Sequence, residues 1–213
     1  MSEKLTIRST DGLALEAELD APPAVTGALV LCHPHPKMGG TMNAPLLLAL
    51  RDDLVDRGWA VLRFNFRGIG ASEGRASTGV DEVADASGAI DAAIGRYPDV
   101  PVAIAGWSFG AAVALRTALE RPELAAVATI APAVVAKPDI TAGAPAPEDF
   151  SFHGKVLVIC GENDDLVAPA DVRRWAEVTG ARYEEIKGAN HFFWARYDQL
   201  ASLVGDFVDS ALD

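Results

Sequence analysis

The chain has 213 residues, of which 50% are apolar and 23% are charged, and its formal net charge is −12 at pH 7. This length suits one domain, or at most two small ones, and we predict a single domain over residues 1–213 that builds its core without disulfides or a structural metal. An acidic surface repels phosphate backbones and anionic lipid headgroups, so we expect no nucleic acid partner and no membrane partner.

Short β-branched runs alternate with longer amphipathic runs, a pattern typical of a largely parallel sheet covered by helices. The first two predicted strands, Lys4–Ser9 and Leu13–Leu19, alternate apolar and polar residues around an Asp-Gly turn, which indicates an antiparallel edge hairpin. Six further strands are predicted at Ala28–Cys32, Trp59–Phe64, Val102–Ala105, Leu124–Ile130, Val156–Cys160 and Arg182–Ile186. Helices are predicted at Asn43–Arg57, Val80–Arg96, Phe109–Glu120, Ala170–Thr179 and Phe193–Leu212, the first with Asn43 as its cap and Gly58 as its end.

One segment looks inserted between these elements. Residues Pro132–Phe150 are rich in Pro, Ala and Asp and show no clear period. Loops longer than about 12 residues are more often functional or mobile than inert. Two interpretations stay open at this point, a short flap over a site and a long connection.

The two cysteines, Cys32 and Cys160, each end an apolar run that is predicted to be a buried strand. Their spacing fits neither a metal knuckle nor a redox pair, so we predict buried free thiols, which suit a reducing compartment. Residues Met1–Arg8 lack the apolar core of a signal peptide, and no apolar run approaches the ~20 residues of a membrane span. We therefore expect a cytoplasmic protein.

The strongest chemical signal is Gly106-Trp107-Ser108-Phe109-Gly110, a G-x-S-x-G motif between a predicted strand and a predicted helix. The turn from strand to helix is so tight that the residues two before and two after the serine need almost no side chain. The hydroxyl of Ser108 then projects from the sheet edge, and the helix N-terminus faces the reacting oxygen. The motif predicts that Ser108 is a nucleophile.

A serine nucleophile needs a base, and the chain has only four histidines. His153 precedes its strand and falls at the wrong end of the sheet. His33 and His35 follow the Ala28–Cys32 strand at the correct edge, but they come before the serine in the chain. Only His191 follows both the serine and a carboxylate, in the order Ser, acid, His, so we predict that it is the base.

The carboxylate behind the base is expected after the Val156–Cys160 strand, where Gly161 lets the chain leave the sheet. Asp164 and Asp165 are both candidates. Adjacent side chains point in different directions, so only one of them can reach His191. We favour Asp164 and expect the other carboxylate to be solvated or to cap the next helix.

The oxyanion hole needs two backbone N–H groups. One is predicted to be that of Phe109, and the second should come from the loop after Ala28–Cys32. Proline has no N–H, so Pro34 and Pro36 cannot donate, which leaves the N–H of His35. The ring of the neighbouring His33 is expected to order the loop, and a metal site built from the two histidines lacks a third ligand.

Aromatic residues flank the predicted site. Trp107, Phe192 and Trp194 are candidates for an apolar substrate pocket, together with Phe109 and Phe193, although Trp107 and Phe193 fit the core equally well. Basic residues cluster after the Trp59–Phe64 strand and allow two interpretations. They orient an anionic group of the substrate, or Arg67 ties its own glycine-rich loop through Glu73, and we favour the second.

These residues resemble the α/β-hydrolase superfamily, most closely its small bacterial members, which have little or no cap and share features with dienelactone hydrolases and short-chain esterases. Besides the serine motif, the resemblance is carried by His33-Pro34-His35-Pro36 with Gly39-Gly40-Thr41, Asn65-Phe66-Arg67-Gly68 with Ser72-Glu73-Gly74, Gly161-x-x-Asp164-x-x-Val167, and Gly188-Ala189-Asn190-His191-Phe192-Phe193. It implies an α/β fold with a mostly parallel eight-stranded twisted sheet, helices on both faces, a Ser-His-Asp triad, no metal and no cofactor. Dienelactone hydrolases use a cysteine where this chain has Ser108, and epoxide hydrolases use an aspartate there.

We therefore expect a serine hydrolase that cleaves small carboxylic esters through an acyl-enzyme. A thioesterase or an acyltransferase would use the same residues. A binding protein on the same scaffold is the non-enzymatic alternative, because a fold does not guarantee a function. A peptidase is disfavoured because nothing in the sequence indicates a propeller or a peptide-sized cap.

Overall fold

An eight-stranded sheet organises the computed structural model, which describes residues 2–212. Its strands are β1 (Glu3–Arg8), β2 (Ala14–Asp20), β3 (Gly27–Cys32), β4 (Trp59–Phe64), β5 (Val102–Trp107), β6 (Ala126–Ile130), β7 (Lys155–Gly161) and β8 (Arg182–Ile186). The α-helices are α1 (Pro45–Asp56), α2 (Glu82–Arg96), α3 (Phe109–Glu120), α4 (Pro169–Thr179) and α5 (Tyr197–Asp209). Short 3₁₀ helices lie at Pro36–Met38 and Pro147–Asp149.

The strand order is β1-β2-β4-β3-β5-β6-β7-β8. The hairpin β1–β2 and the β2–β4 pair are antiparallel, and all pairs from β4 to β8 are parallel, which confirms the predicted mostly parallel sheet. The chain leaves β3 towards β4 on one side and returns to β5 on the other. Ligand sites in open α/β sheets form at the carboxyl ends of the strands beside such a reversal, here at β3 and β5.

Helices cover both faces of the sheet, and each face has its own apolar cluster. The residues of α2, α3 and α4 pack on one face, where Ile90, Leu115 and Trp175 are buried. The residues of α1 and α5 pack on the other, where Leu50 and Phe207 are buried. Strands between two apolar layers must be apolar throughout, which explains why β3 and β5 contain no polar side chain.

Two predicted helix starts are wrong. Helix α1 begins at Pro45, and Asn43 is not its cap, because the Oδ1 atom of Asn43 accepts a hydrogen bond from Nη1 of Arg63 at 2.8 Å. Helix α5 begins at Tyr197 and not at Phe193. Phe193 and Ala195 have φ values of 52° and 59°, a left-handed conformation that a right-handed helix cannot contain.

Both cysteines are free and buried, as predicted. Burial raises the pKa of the Cys32 thiol, and burial also raises that of Cys160, to about 12. Both sulfurs are therefore protonated at neutral pH and poor nucleophiles. Within residues 2–212, no helix is both long enough and apolar enough to cross a membrane.

Substitution by alanine at two glycines of helix α2 should change the stability of the protein in opposite directions. A Cβ atom on Gly88 would lie 2.1 Å from the carbonyl oxygen of Arg8, whereas one on Gly95 would meet nothing within 4 Å. We expect Gly95→Ala to stabilise the protein by about 1 kcal/mol, because alanine favours the helix. Gly88→Ala should destabilise it by about 1–3 kcal/mol, since the helix must move off the edge strand. Urea denaturation of both variants measures the difference, and equal effects would contradict the packing of α2 on β1.

Candidate active site

The turn at Ser108 joins β5 to α3 without an intervening loop. Ser108 has φ 57° and ψ −113°, a conformation that is strained for a residue with a side chain. A Cβ atom on Gly106 would lie 2.3 Å from the carbonyl oxygen of Gly110, and one on Gly110 would lie 2.3 Å from that of Cys32. Both flanking positions therefore require glycine, as the motif predicts.

The three residues predicted for catalysis lie side by side. The Nε2 atom of His191 is 3.0 Å from Oγ of Ser108, and its Nδ1 atom is 2.8 Å from Oδ2 of Asp164. A carboxylate only accepts hydrogen bonds, so the imidazole carries its proton on Nδ1. The unprotonated Nε2 therefore faces the serine hydroxyl, which is the orientation that a base requires.

Asp164, and not its neighbour, reaches the histidine. Its second oxygen, Oδ1, accepts hydrogen bonds from the backbone N–H groups of Leu166 at 3.0 Å and Val167 at 2.8 Å. Asp165 is exposed, and its side chain makes no hydrogen bond within residues 2–212. It does not cap α4 either, since the helix has no side-chain cap.

Backbone contacts hold the loop after β7, which carries Asp164 and is here called the acid loop, against the loop after β8, which carries His191. The N–H of Asn163 donates to the carbonyl oxygen of Ala189 at 2.8 Å, and a Cβ atom on Gly161 would lie 2.6 Å from the same oxygen. The indole N–H of Trp107 donates to the carbonyl oxygen of His191 at 3.2 Å. Sequence reasoning missed this role of Trp107, because the motif leaves the position before the serine unspecified.

Two backbone N–H groups beside the serine have no internal acceptor. Those of Phe109 and His35 donate to no group within residues 2–212. Ser108 and His35 line the same cavity, and the rings of His35 and Phe109 lie 5.0 Å apart. A Cβ atom on Gly40 would lie 2.0 Å from the carbonyl oxygen of Pro34, so glycine lets the loop fold tightly back on itself.

The ring of His33 orders the loop, as expected. Its Nε2 atom accepts a hydrogen bond from the N–H of Phe66 at 3.1 Å, so its Nδ1–H donates to the carbonyl oxygen of Pro34 at 2.7 Å. Burial lowers the pKa of His33 to about 4. His35 likewise accepts from the N–H of Lys37 through Nδ1 and donates to the carbonyl oxygen of Ile140 through Nε2. All four ring nitrogens are thus engaged within the protein.

A cavity of about 800 Å³ opens in front of Ser108. Trp107 and Phe192, two of the residues predicted for a substrate pocket, line this cavity. Trp194 does not line it. Its side chain is 65% exposed and stacks on Phe192 with the ring centroids 5.8 Å apart. Phe193 is fully buried in the core.

Arg67, the first basic residue after β4, serves the fold. Arg67 pairs with Asp85 and Asp11, and not with Glu73 as predicted. The carboxylate of Glu73 instead accepts a hydrogen bond from the N–H of Ala14 at 2.8 Å. Arg67 is therefore held in ion pairs within the fold and is not among the residues that line the cavity.

The chain is similar to known hydrolases. Residues 23–153 match the family model described as Serine aminopeptidase, S33. An uncharacterized protein of Rickettsia prowazekii (strain Madrid E) is 36% identical over 191 residues, which are 85% of this chain and 77% of that protein.

Two solved structures share the fold over almost the whole chain. One is an α/β serine hydrolase without a lid from Xanthomonas campestris, with 27% identity, 98% of this chain and 94% of that chain covered, and a TM-score of 0.86. The other is a putative α/β hydrolase from Agrobacterium tumefaciens, which is 30% identical in sequence. The match covers 99% of this chain and 96% of that chain, with a TM-score of 0.83. Residues 132–150 of this chain contain no α-helix, in keeping with the lid-less relative.

Burial of His33 should make the protein less stable in acid. The pKa of His33 is about 4 in the folded state and 6.5 as a reference value for the unfolded chain, so between these pH values only the unfolded chain binds the proton. The free energy of unfolding should therefore fall by about 3 kcal/mol from this residue as the pH drops from above 6.5 to below 4. Urea titrations at several pH values measure the loss.

The matched variants are His33→Gln, whose side chain does not titrate, and His153→Gln at an exposed position. We expect the stability of His33→Gln to depend less on pH than that of the wild type, whereas His153→Gln should keep the wild-type dependence. The same dependence in all three proteins would show that His33 is not the residue responsible.

Proposed function

The chain belongs to the α/β serine hydrolases, in the family described as serine aminopeptidase S33, and from this premise we propose that it cleaves small carboxylic esters. The observation that carries the proposal is the unbroken hydrogen-bonded series from Ser108 through His191 to Asp164, with distances of 3.0 and 2.8 Å. Such a series lets a base remove the hydroxyl proton and makes the serine a nucleophile.

In the proposed reaction, Oγ of Ser108 attacks the ester carbonyl carbon while Nε2 of His191 takes the hydroxyl proton. Asp164 stabilises the imidazolium that forms. The negative oxygen of the tetrahedral intermediate accepts hydrogen bonds from the N–H groups of Phe109 and His35. The imidazolium then gives its proton to the leaving alcohol, and the acyl group remains on Ser108.

The second half of the reaction repeats these steps with water. His191 takes a proton from a water molecule, the resulting hydroxide attacks the acyl-enzyme, and the proton returns to Oγ of Ser108 as the acid leaves. Thioester hydrolysis and acyl transfer differ only in the leaving group or the acceptor.

Ester cleavage is favoured over peptide cleavage by the wall of the cavity. Val134, Ile140 and Leu166 line it, and such side chains suit an apolar acyl group. The family description names an aminopeptidase, whose substrate carries an ammonium group. Because the carboxylates of Asp165 and Asp171 also line the cavity, aminopeptidase activity is the alternative to test. Parallel assays with p-nitrophenyl butyrate and alanine p-nitroanilide separate the two activities, and we expect turnover of the ester.

Ser108 should react with a fluorophosphonate probe, because the probe traps a serine that is activated by a base. We expect labelling of the native protein, none in Ser108→Ala, and unchanged labelling in Ser151→Ala, which alters an exposed serine. Ester hydrolysis by Ser108→Ala should fall by at least about 10³-fold. Labelling that survives in Ser108→Ala would contradict the assignment of the nucleophile, and an unlabelled native protein would favour a binding function.

The two neighbouring aspartates provide a matched pair of variants. Asp164→Asn should lower kcat by about 10⁴-fold, because an amide no longer holds the imidazole in the required tautomer. Asp165→Asn should change kcat by no more than about threefold, since this exposed side chain does not touch His191. Steady-state kinetics with one ester measure both, and a larger loss in Asp165→Asn would assign the acid to the neighbour.

A further inference from the structure

Residues 133–141, here called the strap, form one side of the cavity. The strap starts at the nucleophile itself, where the N–H of Ala133 donates to the carbonyl oxygen of Ser108 at 3.3 Å. At its other end, the guanidinium of Arg116 on α3 donates to the carbonyl oxygens of Ala142 at 2.9 Å and Gly143 at 2.7 Å. Both ends of the strap are therefore fixed to the element that carries the serine.

The tip of the strap is tied to two other loops of the site. Lys137 and Thr141 pair through their backbones, which shapes the tip as a tight turn. The ammonium group of Lys137 donates to the carbonyl oxygen of Leu166 in the acid loop at 2.9 Å. The imidazole of His35, in the loop after β3, donates to the carbonyl oxygen of Ile140 at 3.0 Å. The first half of Pro132–Phe150, which the sequence left open as flap or connection, is thus tied to the site at its start and at its tip.

The cavity beneath the strap concentrates exposed apolar side chains. Ten large apolar side chains are exposed within residues 2–212, and half of them line this one cavity, namely Met38, Val135, Ile140, Leu166 and Phe192. Exposed apolar side chains that lie together mark an interaction surface, and inside a concave cavity they suit an apolar ligand. Among the described lining residues, Lys137 is the only lysine or arginine, and its ammonium is bound to Leu166.

We propose that the strap is the acyl-binding wall and that it selects esters of medium-length apolar acids over acetates. This inference rests on the proposed function, since it names the substrate class of the same site. The acyl chain lies between Val135 and Ile140 of the strap and Met38 and Leu166 of the facing loops. Each methylene that leaves water there should raise kcat/KM by up to about fourfold. Lys137 is a positioning residue that holds the tip of the strap at the correct width.

The test is a series of p-nitrophenyl acetate, butyrate, hexanoate and octanoate, assayed with the wild type and two matched pairs of variants. Val135→Ser removes apolar surface from the strap, and Val178→Ser makes the same change on α4, at a nearly identical exposure of 50% against 52%. Lys137→Met removes the tie to Leu166. Lys155→Met removes a comparable bond from a lysine to the carbonyl oxygen of Ser210, and neither Lys155 nor Ser210 lines the cavity.

We expect wild-type kcat/KM to rise by at least about tenfold from acetate to octanoate. Val135→Ser and Lys137→Met should lower kcat/KM for octanoate by about three- to tenfold more than kcat/KM for acetate, chiefly through KM. The control variants Val178→Ser and Lys155→Met should show the same rise of kcat/KM with chain length as the wild type. Melting temperatures within a few degrees of the wild type would show that each variant is folded.

A flat wild-type series, or an equal loss for acetate and octanoate in the strap variants, would overturn the role of the strap while leaving the esterase intact. If no ester in the series is cleaved and Ser108 is not labelled by a fluorophosphonate, the proposed function fails instead. The two failures are therefore distinguishable.

Discussion

The close contact between the first turn of α3 and the ends of β5 and β3 is the constraint on which the site depends. Backbone atoms meet there at distances that leave no room for a Cβ atom on Gly106 or Gly110. The chain can make this turn only if Ser108 adopts a positive φ, which projects its hydroxyl into the cavity and leaves the next N–H without an internal partner. One steric requirement thus places both the candidate nucleophile and one candidate oxyanion donor.

The position of His191 is fixed from several directions. Its ring is bound at both nitrogens, and its backbone carbonyl is held by the indole of Trp107. The loop before it is joined to the acid loop by the N–H of Asn163, so the imidazole of His191 and the carboxylate of Asp164 cannot separate easily. Because the geometry exists before substrate binds, little entropy is lost in aligning the groups during a reaction.

The charges of the chain are arranged so that the cavity stays largely apolar. Arg63 lies in β4, the strand next to β3, and Arg67 follows it, but each is buried in ion pairs with acidic residues of the β1–β2 hairpin or of α2. Lys137 reaches across the cavity rim and binds a backbone carbonyl. For the proposed neutral ester substrate, selection then rests on apolar contact and shape.

The sequence by itself determined the elements and most of the site. Strand Trp59–Phe64, helix Phe109–Glu120 and strand Arg182–Ile186 have the predicted bounds, because apolar periodicity and glycine or proline breaks are local signals. The order of Ser108, Asp164 and His191 was likewise readable, since loops after parallel strands meet at one edge. Only the tertiary structure decided the pairing of Arg67 with Asp85 and the hydrogen bond from Trp107 to His191. It also decided that Trp194 lies outside the cavity and that Lys137 of the strap binds Leu166. These contacts join residues from separate elements, and their partners depend on how the strands are ordered and how side chains pack, which no local pattern specifies.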